Sequence, residues 1–346
     1  MIRKRVLKSV PSSRVLPSSP WAQALLPLRA VLVTGKGGVG KTTVAASLAR
    51  FASQQGKRVL VTEIANEEVS SSALADALGV EAIAQEPQEI APGLRLCSLS
   101  PTLGHQSFLR DVLPMKLLAD AAMRAGAIRR FLSAAPTFPE MGVLYRLLDL
   151  VRTTRRDGTF EHEMIIVDLP ATGHALALAQ IPASLLRVIH TGPIATAVRE
   201  GLDLIMDPAR TGAVVVTLPE TLPVSEAIEL ARGIEEHRIP LAHVFVNRVP
   251  FDPFAPEEHE IVERLLRGRG PTLGARTVER IHRSGGALRR MIQAVNVPVT
   301  TLQDTWLDGP RLAEEVASLM AVDVEETPLA SPGSSPPAAD EGGVRA

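Results

Sequence analysis

The sequence predicts a doubly wound α/β fold built on a mostly parallel sheet, with one helical insertion. Two observations carry this. Short β-branched apolar runs alternate with longer stretches of helical periodicity, the pattern of a parallel sheet covered by helices on both faces. The segment between Ser100 and about Arg156 breaks the alternation, has no strand pattern and is dense in Leu, Met and Ala.

Taken in order, residues 1–28 carry Arg3, Lys4, Arg5, Lys8 and Arg14 with no acid, among Ser and Pro. No continuous apolar stretch marks a secretory signal. The segment reads as an unstructured leader or a misassigned start. A basic arm on membrane phosphates or nucleic acid, and an organellar transit peptide, are the alternatives. The folded domain is expected over 29–325. Its central strands are expected at Ala30–Thr34, Arg58–Glu63, Leu94–Leu99, Met164–Asp168, Gly212–Thr217, Leu241–Asn247 and Val297–Thr301. Helical stripes fall between them, such as Val44, Leu48 and Phe51 after the first and Val224, Ile228 and Ala231 after the fifth. Residues 100–156 are expected as a helical insertion, and 326–346, rich in Ser, Pro and Gly, as a disordered tail.

Composition narrows the function classes. The 346 residues are 45% hydrophobic with a formal net charge of −1, so no general polyanion-binding surface is expected. No apolar run approaches the roughly 20 residues needed to span a bilayer, and a soluble, cytoplasmic protein is expected. The single cysteine, Cys97, excludes an intrachain disulfide and a zinc site built on paired cysteines; it reads as a small buried strand residue.

The chemistry is concentrated in Gly35-Lys36-Gly37-Gly38-Val39-Gly40-Lys41-Thr42-Thr43, directly after a strand and before an amphipathic helix. Glycines let successive backbone N–H groups converge on phosphate oxygens, and the helix N-terminus adds a favourable dipole. Lys41 is placed to reach the β- and γ-phosphates, and the Thr42 hydroxyl to coordinate Mg²⁺. A second anchor, Asp168, closes the apolar run Ile165–Val167 and precedes a glycine-bearing loop with Thr172, Gly173 and His174. A strand-end aspartate there can hold a water on Mg²⁺. Thr42 and Asp168 are thus the expected metal residues.

With Lys36 second in the loop, the motif resembles the deviant Walker A of the cell-division, plasmid-partition and arsenite-pump ATPases. In that group this lysine contacts the phosphates of the partner's nucleotide, which implies a homodimer closed over ATP. The run from Asp168 to His174 resembles the switch loop of the arsenite-pump ATPases and their tail-anchored-protein-targeting relatives. Asp207-Pro208 with Thr211, and Pro219-Glu220 with Val224 and Glu226, resemble that family's Asp-Pro…Thr and Pro-Glu segments, and Pro298 and Gly309 its closing segment. By the same resemblance Asn247 faces adenine, and the absence of a guanine-reading acid after it favours ATP over GTP.

The sequence departs from that family at the end of the second strand. An aspartate there positions the attacking water, whereas this chain reads Glu63-Ile64-Ala65-Asn66-Glu67-Glu68. Ungapped alignment puts Ala65 at that aspartate and a slip of two residues puts Glu63 there; Glu63 is the candidate replacement, provided its extra methylene is accommodated, and Glu67 requires the loop to fold back. The cysteines that carry zinc or arsenite in family branches have no counterpart. Leu113, Met115, Leu117, Leu118, Met123, Ile128, Phe131, Leu132, Phe138, Met141, Leu144 and Leu148 are ordinary core or, alternatively, a groove for a protein client. The insertion's arginines, without interleaved aromatics, read as a solvated face rather than a nucleic-acid site. Membrane contact is expected only indirectly or through the leader. The rival functions are a nucleotide-gated scaffold with little hydrolysis and a partition-type ATPase on DNA or membrane.

Overall fold

A computed structural model describes residues 20–64, 71–112, 138–171, 190–266 and 272–321, with 176, 180, 182–184 and 186–187 between them. Eight strands form one sheet: β1 (Ala30–Gly35), β2 (Val59–Ile64), β3 (Gln88–Ala91), β4 (Leu94–Leu99), β5 (Met164–Asp168), β6 (Thr211–Thr217), β7 (Leu241–Val249) and β8 (Val299–Gln303). Their order is β3-β4-β2-β5-β1-β6-β7-β8. Every pairing is parallel except β3 with β4.

Strand alternation assigns the two faces. Val31, Val33, Val59, Val61, Met164, Ile166, Val214 and Val216 pack on one side with α2 (Lys41–Gln54), α3 (Ala73–Leu78) and α10 (Gly309–Ala321). Leu32, Leu60, Ile165, Val167, Ala213 and Val215 pack on the other. The helices there are α5 (Phe138–Arg152), α6 (Pro193–Met206), α7 (Thr221–Glu236) and α9 (Leu273–Ala294). Both faces of the central strands are apolar because both are covered, which is the doubly wound arrangement expected from the sequence. Two further described helices are α4 (Pro101–Val112) and α8 (Pro256–Leu266).

Three expectations change. The leader does not run to residue 28: α1 (Pro20–Leu25) buries Trp21, Ala22 and Leu25, and Leu26 and Leu28 follow them into the core. Trp21 meets Phe51 edge-on at 4.9 Å and lies 6.1 Å from Phe245. The apolar area of these side chains outweighs the Pro- and Ser-rich context that suggested an unstructured arm. Trp21→Ala is expected to cost about 3–5 kcal/mol, the usual loss for a fully buried indole, read as a lower urea midpoint with an unchanged slope. The second change is β3, an antiparallel edge strand joined to β4 across Pro92-Gly93, with Gly93 at φ 73°. The third concerns the last strand, β8, which is a sheet edge rather than central and begins at Val299 rather than Val297.

Within the insertion, Pro101–Val112 and Phe138–Arg152 are helical, residues 153–156 are not, and Met141, Leu144 and Leu148 are buried. Leu144 and Leu148 belong to the core against the sheet rather than to an open groove. The expected groove residues from Leu113 to Leu132 lie outside the described residues, as do the side chain of Phe138, Ala65 to Glu68, and Thr172 to His174. Cys97 is buried as expected, and burial pushes its thiol up to about 11.

Candidate functional site: a phosphate loop and its carboxylate

The loop after β1 sits at the carboxyl end of the sheet, between β5 and β6. Crevices outside the carboxyl ends of such sheets, where the strand order reverses, are the usual ligand sites of doubly wound folds. Helix α2 starts at Lys41 with Gly40 as its N-cap, in the left-handed region at φ 92°, and no side chain caps it. The first N–H groups of α2 therefore have no intrahelical acceptor and point at whatever anion the loop encloses.

Lys41 is buried, and its Nζ donates to the Lys36 carbonyl at 2.9 Å across the loop. Burial lowers its pKa, opposed by the charge of Asp168. Thr42 Oγ1 donates to Asp168 Oδ2 at 2.6 Å, because Asp168 stands beside Val33 in the β1–β5 register. Asp168 is 7% exposed, and its second oxygen, Oδ1, is buried with no hydrogen-bond partner. Burial pushes its carboxyl up to about 6; the Thr42 bond and Lys41 pull it down, and Glu63 pushes it further up. An unsatisfied carboxylate oxygen next to a threonine hydroxyl is a hard-oxygen donor set, which fits Mg²⁺ held through few protein ligands and several waters.

Asn247 braces the phosphate loop in this structure. Its Nδ2 donates to the Val39 carbonyl at 2.9 Å and its Oδ1 accepts from the Arg248 amide at 3.0 Å. Gly40 is required beneath it: a Cβ there would stand 2.2 Å from Nδ2. Arg248, next along the chain, is one of two described non-glycine residues with positive φ, at 55°.

Asn247, Arg248 and Thr43 also border an open cleft of about 970 Å³. Its other walls are the Leu218–Pro223 connection, the outer face of α9 and the segment after β8. Trp306, 96% exposed, stands on its rim. Periodicity and motif reading missed this wall, since no local pattern ties the segment after β8 to the loop after β1.

Lys36 Nζ pairs with Glu226 Oε1 on α7 of the same chain at 2.9 Å, with 48% of the lysine side chain exposed. Glu63 lies beside Asp168 in the β2–β5 register, and its Oε2 accepts from the Leu74 amide at 3.3 Å, at the start of α3. Lys41 and the loop backbone therefore meet Thr42 and Asp168, Glu63 lies beside them, and the Lys36 side chain is turned to Glu226.

Comparison with known proteins follows the same residues. Residues 28–200 match the family model described as anion-transporting ATPase. The chain is 26% identical over 233 residues to an ATPase, BagA, of Mycobacterium tuberculosis, covering 66% of this chain and 67% of that one. It is 24% identical over 288 residues to an ATPase ASNA1 homolog of Cryptosporidium parvum, covering 72% and 73%. Against the arsenical pump-driving ATPase of Acidiphilium multivorum it is 27% identical over 249 residues, which is 67% of this chain but 41% of that protein. With half its length matched through the phosphate loop and the strand of Asp168, the chain belongs to the anion-transporting ATPase family.

Proposed function

We propose that this ATPase works as a homodimer that closes over Mg·ATP and uses that closure to control a protein client. The contact between Thr42 Oγ1 and Asp168 Oδ2, with Asp168 Oδ1 buried and unpaired at the mouth of α2, carries the reading. The loop amides and Lys41 bind the β- and γ-phosphates, and the cleft beside Thr43 takes the nucleoside. Thr42 and Asp168 would hold Mg²⁺, which when bound would neutralise charge on the phosphates. Lys36 exchanges Glu226 for the partner's phosphates on closure; the exposed pair is a weak tie, so its loss is a small cost. By the family resemblance, closure then reshapes the insertion.

Glu63 favours a second reading, a nucleotide-gated scaffold with little hydrolysis. It takes the place of the family's aspartate only with a two-residue slip of the alignment, and one of its oxygens is already held by the Leu74 amide. Sedimentation and phosphate release, measured together for wild type and Lys36→Ala with and without Mg·ATP, separate these. ATP-dependent dimerisation with release, both lost in the variant, is the expected result. Dimerisation without release establishes the scaffold, and a chain whose sedimentation ignores nucleotide removes the role given to Lys36.

A further inference from the structure

The cleft beside the phosphate loop leaves large apolar side chains in water. Leu222, Trp306 and Leu307 all line it, and they are 68%, 96% and 41% exposed. Single exposed hydrophobic residues are ordinary on a protein surface, but three that share one concave wall mark a place where something binds. Trp306 is the extreme case, since an indole that finds a place to pack covers roughly 150–250 Å².

The backbone around the indole is fixed although the ring itself is uncovered. Before it, the Asp304 amide donates to the Val249 carbonyl at 2.9 Å, and the Asp304 carboxylate accepts from Arg280 at 3.0 Å. After it, the chain turns into α10 at Gly309, in the left-handed region at φ 52°, and the Leu312 amide donates to the Asp308 carbonyl at 3.3 Å. Only Thr305 to Asp308 span the gap. A side chain on so short a loop, pinned at both ends, gives up little freedom when a ligand meets it. Thr43 and Asn247 border the same cleft, so a ligand whose phosphates occupy the loop after β1 can extend its other end along this wall. In a nucleotide, the base is the part with π faces for an aromatic ring to cover; ribose and phosphate have none.

We propose, on the reading that this cleft takes the nucleoside, that Trp306 is the stacking platform for the nucleobase. Every base has a π face, so stacking is tolerant of base identity. Trp306 therefore supplies affinity for the base and leaves the choice among bases to polar groups.

The chain has two tryptophans, and the other, Trp21, is 3% exposed, so acrylamide quenching of tryptophan fluorescence in the full chain reads Trp306. Mg·ATP is expected to shield the indole. Magnesium tripolyphosphate, which offers the phosphate loop its charges without a base, should leave the indole open. By calorimetry, Trp306→Ala should weaken ATP binding by about 5- to 150-fold, the range for losing one base–aromatic stack, and leave tripolyphosphate binding unchanged. Trp306→Phe should restore most of the loss. ATP bound equally well by the alanine variant, or equal shielding by tripolyphosphate, would overturn the role of Trp306 while leaving the phosphate site in place. Shielding that grows with protein concentration at saturating ATP would do the same, because a second copy would then be covering the indole. If neither ligand binds the wild type, the phosphate site itself is misassigned and the stacking role falls with it.

Discussion

Asp168→Asn is expected to lower ATP turnover by roughly 10²–10³-fold, the loss usual for deleting one preorganised electrostatic group. The same change should leave the nucleotide-free protein at least as stable at neutral pH. Both follow from one carboxylate placed where solvent cannot reach it. Its pKa rises from 3.8 to about 6, so the folded chain binds this proton more tightly than the unfolded chain does. Stability from this group is full below pH 3.8 and is lost as pH rises through about 6. At neutral pH the ionised form costs on the order of 3 kcal/mol, by 1.36 kcal/mol per pKa unit. Asparagine removes that cost while still accepting from Thr42, but it cannot hold Mg²⁺ as an anion. Urea unfolding of both proteins at pH 5 and pH 7 checks the sign: the wild type should lose stability relative to the variant across that interval. A variant that is less stable at neutral pH, or that retains turnover, would refute the assignment.

Gly40→Ala should weaken nucleotide binding by at least about a hundredfold, or roughly 2.7 kcal/mol. Two costs combine at this position. Alanine at φ 92° carries about 1–2 kcal/mol of left-handed strain. Its Cβ also evicts the Asn247 amide from a contact of 2.2 Å, stranding the buried Val39 carbonyl at about 1–3 kcal/mol. Asn247→Ala alone strands the same carbonyl without the strain. The double variant should therefore be less damaged than the sum of the two, by about 1 kcal/mol or more. Equilibrium binding of a fluorescent ATP analogue to the four proteins measures the coupling, and strict additivity would mean that Asn247 does not support the loop.

Much of this architecture was legible in the chain. The β-branched runs located seven of the eight strands, because parallel strands covered on both faces are continuous apolar stretches. The phosphate loop and Asp168 were legible for a related reason: each occupies a strand end, so motif and fold predict the same place. Elements that do not announce themselves by periodicity were missed. Helix α1 is six residues behind a basic, Pro-rich stretch, and only Trp21 hinted at burial. Strand β3 is four half-exposed residues whose signal was the Pro92-Gly93 turn. The bonds from Asn247 to Val39 and from Lys36 to Glu226 join residues about two hundred positions apart, a separation that local reading cannot bridge.

The Asn247 bond has a consequence for how a single ligand is held. One amide touches both the backbone that grips phosphate and the wall of the cleft proposed for the nucleoside. A free nucleoside and an inorganic polyphosphate are therefore expected to bind with linked affinities that an Asn247→Ala variant loses, each altering the affinity of the other by the same factor.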